Sequence, residues 1–158
     1  MRRLTLLAAV VLALFATVGV ASAAGMGSQT TGSERNYTAH LTGSGTNAQG
    51  EVIYHLSKDG MTLSYKLIVA NIDNVTMAHI HDGATGIPVV WLYPSAPPPR
   101  QIPGRSDGVL AQGTITSANI VGPYAGMTVM QLFEKIEAGK TYVNVHTTAF
   151  PAGLIRTH

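Results

Sequence analysis

The sequence predicts an all-β protein, an antiparallel β-sandwich with one short α-helix. Two observations carry this. Seven or eight short runs alternate apolar and polar residues, or concentrate valine, isoleucine and aromatic side chains, with turn residues between them. Only one segment has the 3.6-residue period of an amphipathic helix. The chain has no cysteine, so a hydrophobic core alone must stabilise it.

The elements follow in order. Met1-Arg2-Arg3, an apolar run from Leu4 to Val20 and the small-residue site Ala21-Ser22-Ala23 read as an export signal over residues 1–23. Cleavage there leaves 158 − 23 = 135 residues. Residues 24–35, rich in Gly, Ser and Thr, read as a flexible leader, and residues 36–158 as one domain. Strands are expected at Tyr37–Leu41 and Glu51–Leu56, separated by the loop Gly43–Gly50. A turn at Lys58-Asp59-Gly60 joins the second of these to Met61–Val69, whose Met61, Leu63, Tyr65, Leu67 and Val69 point inward. Asn71–Asn74 leads into a strand carrying Met77-Ala78-His79-Ile80-His81-Asp82, and Pro88–Tyr93 is the next. Pro94–Arg105 is expected to be a stiff surface loop outside any ladder, because proline lacks the amide donor. Val109–Ile115 resumes a strand. Thr128–Gly139 is the helix: Thr128 and Gln131 form a capping box, Val129, Leu132, Phe133 and Ile136 one face, and Gly139 the stop. Thr141–Thr147 and Gly153–Thr157 close the chain as a hairpin, with Asn144 opposite Arg156.

Charge and motifs exclude several functions. The chain has 10 basic and 8 acidic residues; without Arg2 and Arg3 the mature domain balances at 8 and 8. No clustered basic surface for nucleic acid is expected. No segment after the signal is long and apolar enough to span a bilayer. The chain lacks a Gly-x-Ser-x-Gly elbow, a phosphate loop and a dinucleotide fingerprint, and offers no paired carboxylates for acid/base work. Asn36-Tyr37-Thr38 and Asn74-Val75-Thr76 are glycosylation sequons.

The chemistry that remains is histidine. Side chains two apart on a strand share a face, so His79 and His81 point the same way while Ala78 and Ile80 turn to the core. In Tyr142-Val143-Asn144-Val145-His146 the valines take the core side, leaving Tyr142, Asn144 and His146 together. Three neutral imidazoles suit copper or zinc, and Cu(II) leads the affinity series for nitrogen ligands. Met77 shares the parity of the histidines and offers a thioether as a fourth donor. Asp82 is placed to orient an imidazole, and Asn144 to support it. A shared ion needs the ring nitrogens within roughly 4 Å of one another. His40 and His55 read as surface residues, His158 as too distant, and Met61, Met127 and Met130 as core or turn residues.

Ala78-His79-Ile80-His81-Asp82-Gly83, Gly86–Val90, Ala138–Thr147 and Pro151–Arg156 together resemble the CHRD domain, the chordin-type module common in secreted bacterial proteins. The resemblance spans roughly Asn36 to the end and implies an immunoglobulin-like, Greek-key β-sandwich. It implies no defined biochemical role. The family's usual Gly-Glu-Ile-Arg-Gly close departs here, with Leu154 at the acidic position and Thr157 at the last glycine. The His79–His81 strand is also similar to the copper-binding strand of Cu/Zn superoxide dismutase, but that enzyme's disulfide has no counterpart.

The expectation is therefore an exported protein, periplasmic, cell-surface or secreted, that binds copper, or zinc as second choice, for binding, storage or delivery rather than turnover. The alternatives are a metal-free envelope or extracellular interaction module with a protein partner, and a copper redox enzyme.

Overall fold

The structure, a computed structural model, describes residues 35–158. The expected signal at 1–23 and almost all of the leader at 24–35 lie outside the described residues. Eight strands form: β1 (Arg35–Thr42), β2 (Gln49–Leu56), β3 (Leu63–Asp73), β4 (Val75–Asp82), β5 (Pro88–Tyr93), β6 (Arg105–Ile115), β7 (Thr141–Thr147) and β8 (Ile155–Thr157). The α-helix α1 (Val129–Glu137) precedes β7.

All eight strands join one antiparallel sheet in the order β5-β4-β7-β8-β1-β2-β3-β6. The all-β, antiparallel class and the single α-helix are as expected, but the ladder is one curled, nearly barrel-shaped sheet. The short β8 is the reason. It pairs with β7 through Asn144↔Arg156 and Val145↔Ile155, and with β1 through Leu41↔Thr157 and Thr42↔Arg156, stitching two halves together. The outer strands β5 and β6 approach each other without a ladder between them.

Period-two alternation places one face of each strand inside. Val52, Tyr54, Leu63, Leu67, Ile80, Val90, Leu92, Val143 and Val145 belong to a single apolar core. Tyr65, on β3, donates its hydroxyl to the Leu92 carbonyl at 2.8 Å, tying β3 to β5 through the interior. Burial lifts the Tyr65 hydroxyl's pKa above the usual tyrosine range. The helix starts on the expected box: the Thr128 hydroxyl accepts from the Gln131 amide at 3.2 Å, and the Gln131 side chain accepts from the Thr128 amide at 2.9 Å. Val129, Leu132, Phe133 and Ile136 bury its apolar face, and Gly139 ends it at φ 64°. Arg35 pairs with Glu137 and covers the Phe133 ring, linking β1 to α1.

Three local expectations shift. Met61 precedes the strand and is 68% exposed rather than inward. β3 and β6 each run longer, because Asp73 and Arg105 extend their pairing. The proline-rich segment does reach a strand: its non-proline residues Arg100 and Ile102 donate amides to the Thr76 and Val75 carbonyls at 3.0 and 2.8 Å. Arg100 and Ile102 are not prolines and keep their amide donors, and the β4–β5 ladder begins only at Ala78, past Val75 and Thr76.

Candidate metal centre

β4 and β7 run side by side with Met77↔His146, His79↔Asn144 and His81↔Tyr142 as partners. Directly opposed residues in an antiparallel pair point the same way, so these six share one face. Ala78↔Val145 and Ile80↔Val143 fill the core on the other. The valine and isoleucine pattern thus sets the register, and the register gathers the histidines.

His79, His81 and His146 come together as predicted, on the face turned away from the main core, and they are buried there at 2%, 6% and 5% exposure. Trp91, opposite His79 on β5, meets its ring edge-to-face at 4.2 Å. The Tyr142 ring stacks on His81 at 4.9 Å and 5°. Arg156 holds its guanidinium 4.9 Å over the same tyrosine ring. These walls account for the burial. Sequence reasoning missed Trp91 because bulges in the β4–β5 ladder break simple parity counting.

Hydrogen bonds define which nitrogens are free. His81 Nδ1 donates to the Gly86 carbonyl at 2.8 Å, and His146 Nδ1 donates to the Pro151 carbonyl at 2.9 Å. A carbonyl only accepts, so both rings carry their proton on Nδ1 and a lone pair on Nε2. His146 Nε2 lies 3.3 Å from His79 Nδ1 and accepts a hydrogen bond from its N–H. His79 Nε2 and His81 Nε2 are buried with no partner. A buried polar group left unpaired costs about 1–3 kcal/mol, so the cluster holds two unmet demands that a ligand would satisfy.

One ring nitrogen from each histidine lies within 4.8 Å of the others. Metal–nitrogen bonds of ~2.0–2.1 Å in tetrahedral geometry put donor nitrogens about 3.4 Å apart. The three donor nitrogens lie within 4.8 Å of one another, wider than the roughly 4 Å expected from the sequence, and side-chain adjustment of at most about 1.4 Å brings them to tetrahedral spacing. The charge state fits as well. Burial, then the neighbouring imidazoles of His146 and His81, push His79 down to about 3. Burial also lowers His81 and His146, opposed in part by their carbonyl bonds. All three are neutral at pH 7, the form that ligates a metal.

The supporting residues sit one step further out than expected. Asp82 touches no imidazole. Its carboxylate accepts from the Thr85 amide and hydroxyl at 3.1 and 2.6 Å and from the Tyr124 hydroxyl at 2.8 Å. Those bonds, Thr85 first, hold Asp82 below the usual carboxylate range, while burial and Asp82 push Tyr124 up to about 12. They close the turn that carries Gly86, whose carbonyl holds His81. Asn144 behaves alike: its Nδ2 donates to the Ala152 carbonyl at 3.0 Å, bracing the loop whose Pro151 carbonyl holds His146. Met77 is half-buried opposite His146 on the site face. His40 and His55 are exposed, and His158 bonds Thr42 at 3.1 Å, away from the cluster.

No helix among the described residues is long and apolar enough to cross a membrane. Comparison with curated proteins and with solved structures finds no match. The CHRD domain family matches over residues 26–158, a span that includes both histidine strands and every element of the sheet. The chain belongs to the CHRD domain family.

Proposed function

We propose that this protein is exported after cleavage of residues 1–23 and holds one transition-metal ion through His79, His81 and His146. Copper is the first candidate and zinc the second, and the job is binding, storage or delivery rather than turnover. The observation that carries this reading is the cluster of three buried, neutral imidazoles, two of them with an unpartnered Nε2. Met77 is the fourth donor in this reading, and Asp82 and Asn144 act through the loops they brace. The immunoglobulin-like Greek-key sandwich belongs to it too, as the arrangement in which the two halves of the curled sheet face each other.

A metal-free interaction module is the alternative. The His79–His146 hydrogen bond favours it, since it satisfies two ring nitrogens without an ion. It leaves His79 Nε2 and His81 Nε2 unpaired, which is why it ranks second.

The test is metal content and competitive copper affinity of the mature, tag-free protein beside a His79→Ala/His81→Ala variant. One ion per chain, lost in the variant, supports the proposal. Equal and weak binding by both proteins overturns it in favour of the interaction module.

A further inference from the structure

We infer that the histidine site selects a monovalent soft ion, Cu(I), over the divalent ions Cu(II) and Zn(II); the inference rests on the metal-binding reading above. The argument is one of charge. No carboxylate belongs to the cluster. Asp82, the acidic residue adjoining His81 in sequence, spends its oxygens on Thr85 and Tyr124. The charged group that does reach the site's wall is a cation: Arg156 lies over Tyr142, which stacks on His81. Among the described residues no carboxylate pairs with Arg156. An ion held by three neutral rings is therefore buried with its full charge uncompensated.

The cost of burying a charge grows with its square, whereas attraction to the imidazole dipoles grows only in proportion to it. A divalent ion thus loses about four times as much solvation as a monovalent one for twice the ligand attraction. Donor number points the same way. Cu(II) prefers a tetragonal set of nitrogen and oxygen ligands, while the cluster offers three imidazoles with the aromatic rings of Trp91 and Tyr142 packed against them. The one further donor at hand on β4 is the Met77 thioether, a soft ligand of the kind that selects Cu(I). Against this stands the ordinary affinity series, in which Cu(II) leads for imidazole, so measurement separates the two effects.

The mature protein is titrated with Cu(I) under anaerobic conditions against a chromophoric Cu(I) chelator. Cu(II) and Zn(II) are titrated in parallel against chelators of their own. The inference expects one Cu(I) per chain, bound at least roughly 100-fold more tightly than either divalent ion. A divalent ion within about tenfold of Cu(I) overturns the inference and leaves the metal-binding reading standing. Retention of none of the three ions overturns both. A Met77→Glu variant, which adds a negative oxygen donor opposite His146, is expected to narrow the Cu(I) to Zn(II) ratio by about tenfold or more. An unchanged ratio in the folded variant overturns the charge argument.

Discussion

His81 and His146 each keep one nitrogen on a main-chain carbonyl, so the side chains that hold those carbonyls in place govern where the free nitrogens point. Asp82 does this for Gly86, and Asn144 for the Pro151 loop. Asp82→Ala and Asn144→Ala are each expected to weaken metal binding by about tenfold, toward the low end of the effect of residues that orient ligands, without abolishing it. A competitive titration beside wild type checks this, and wild-type affinity in both variants would remove the orienting role. Acid acts on the same rings. All three are held below the ordinary histidine value, so on acidification through about 6.5 the unfolded chain takes up protons that the fold refuses. Stability of the metal-free protein is therefore full above that pH and declines as pH falls toward 3, and a His79→Gln/His81→Gln variant shows a shallower decline in denaturant titrations across that window.

The elements that position the site vary in how plainly the chain displays them. The alternating aliphatics of β4 and β7 were enough to place all three histidines on one face, and Asn144 opposite Arg156, because a one-residue slip would turn valines outward. Helix α1 was equally plain, from its capping box to Gly139. Its Phe133 is fully buried, so Phe133→Ala is expected to cost about 3–5 kcal/mol in denaturant unfolding. The indirect roles of Asp82 and Asn144 were not legible, because they depend on loop closures between residues that carry no periodic signal. Gly153 shows this best. It sits at φ 112°, and a Cβ there would overlap the Asn144 amide. Gly153→Ala is expected to displace that amide, loosen the Pro151 carbonyl and lower both the melting temperature and metal affinity. Unchanged affinity in a folded Gly153→Ala protein would separate the loop from the site.

At the scale of the molecule, closure of the sheet into one curled ladder hangs on β8, a strand of only three residues. Nothing in the sequence of Ile155-Arg156-Thr157 announces that it pairs on both sides, which is why separate sheets were the natural expectation. The buried state of the histidines has the same origin. Trp91 reaches His79 from one neighbouring strand and Tyr142 reaches His81 from the other, contacts that exist only once the ladder order is set. An ion bound by the folded chain alone stabilises the whole molecule, by about 2.7 kcal/mol when free metal is 100 times its dissociation constant. Copper is thus expected to raise the melting temperature by several degrees, and the same addition leaves His79→Ala/His81→Ala unmoved.

X-ray absorption of the copper-loaded protein addresses the three-histidine centre most directly. The account predicts about three imidazole nitrogens around each ion at ~1.9–2.1 Å with the Met77 sulfur as a longer fourth contact, one ion per chain, and multiple scattering from the rings. A shell made mostly of oxygen, or one with a single imidazole, would contradict it and place the metal elsewhere on the surface.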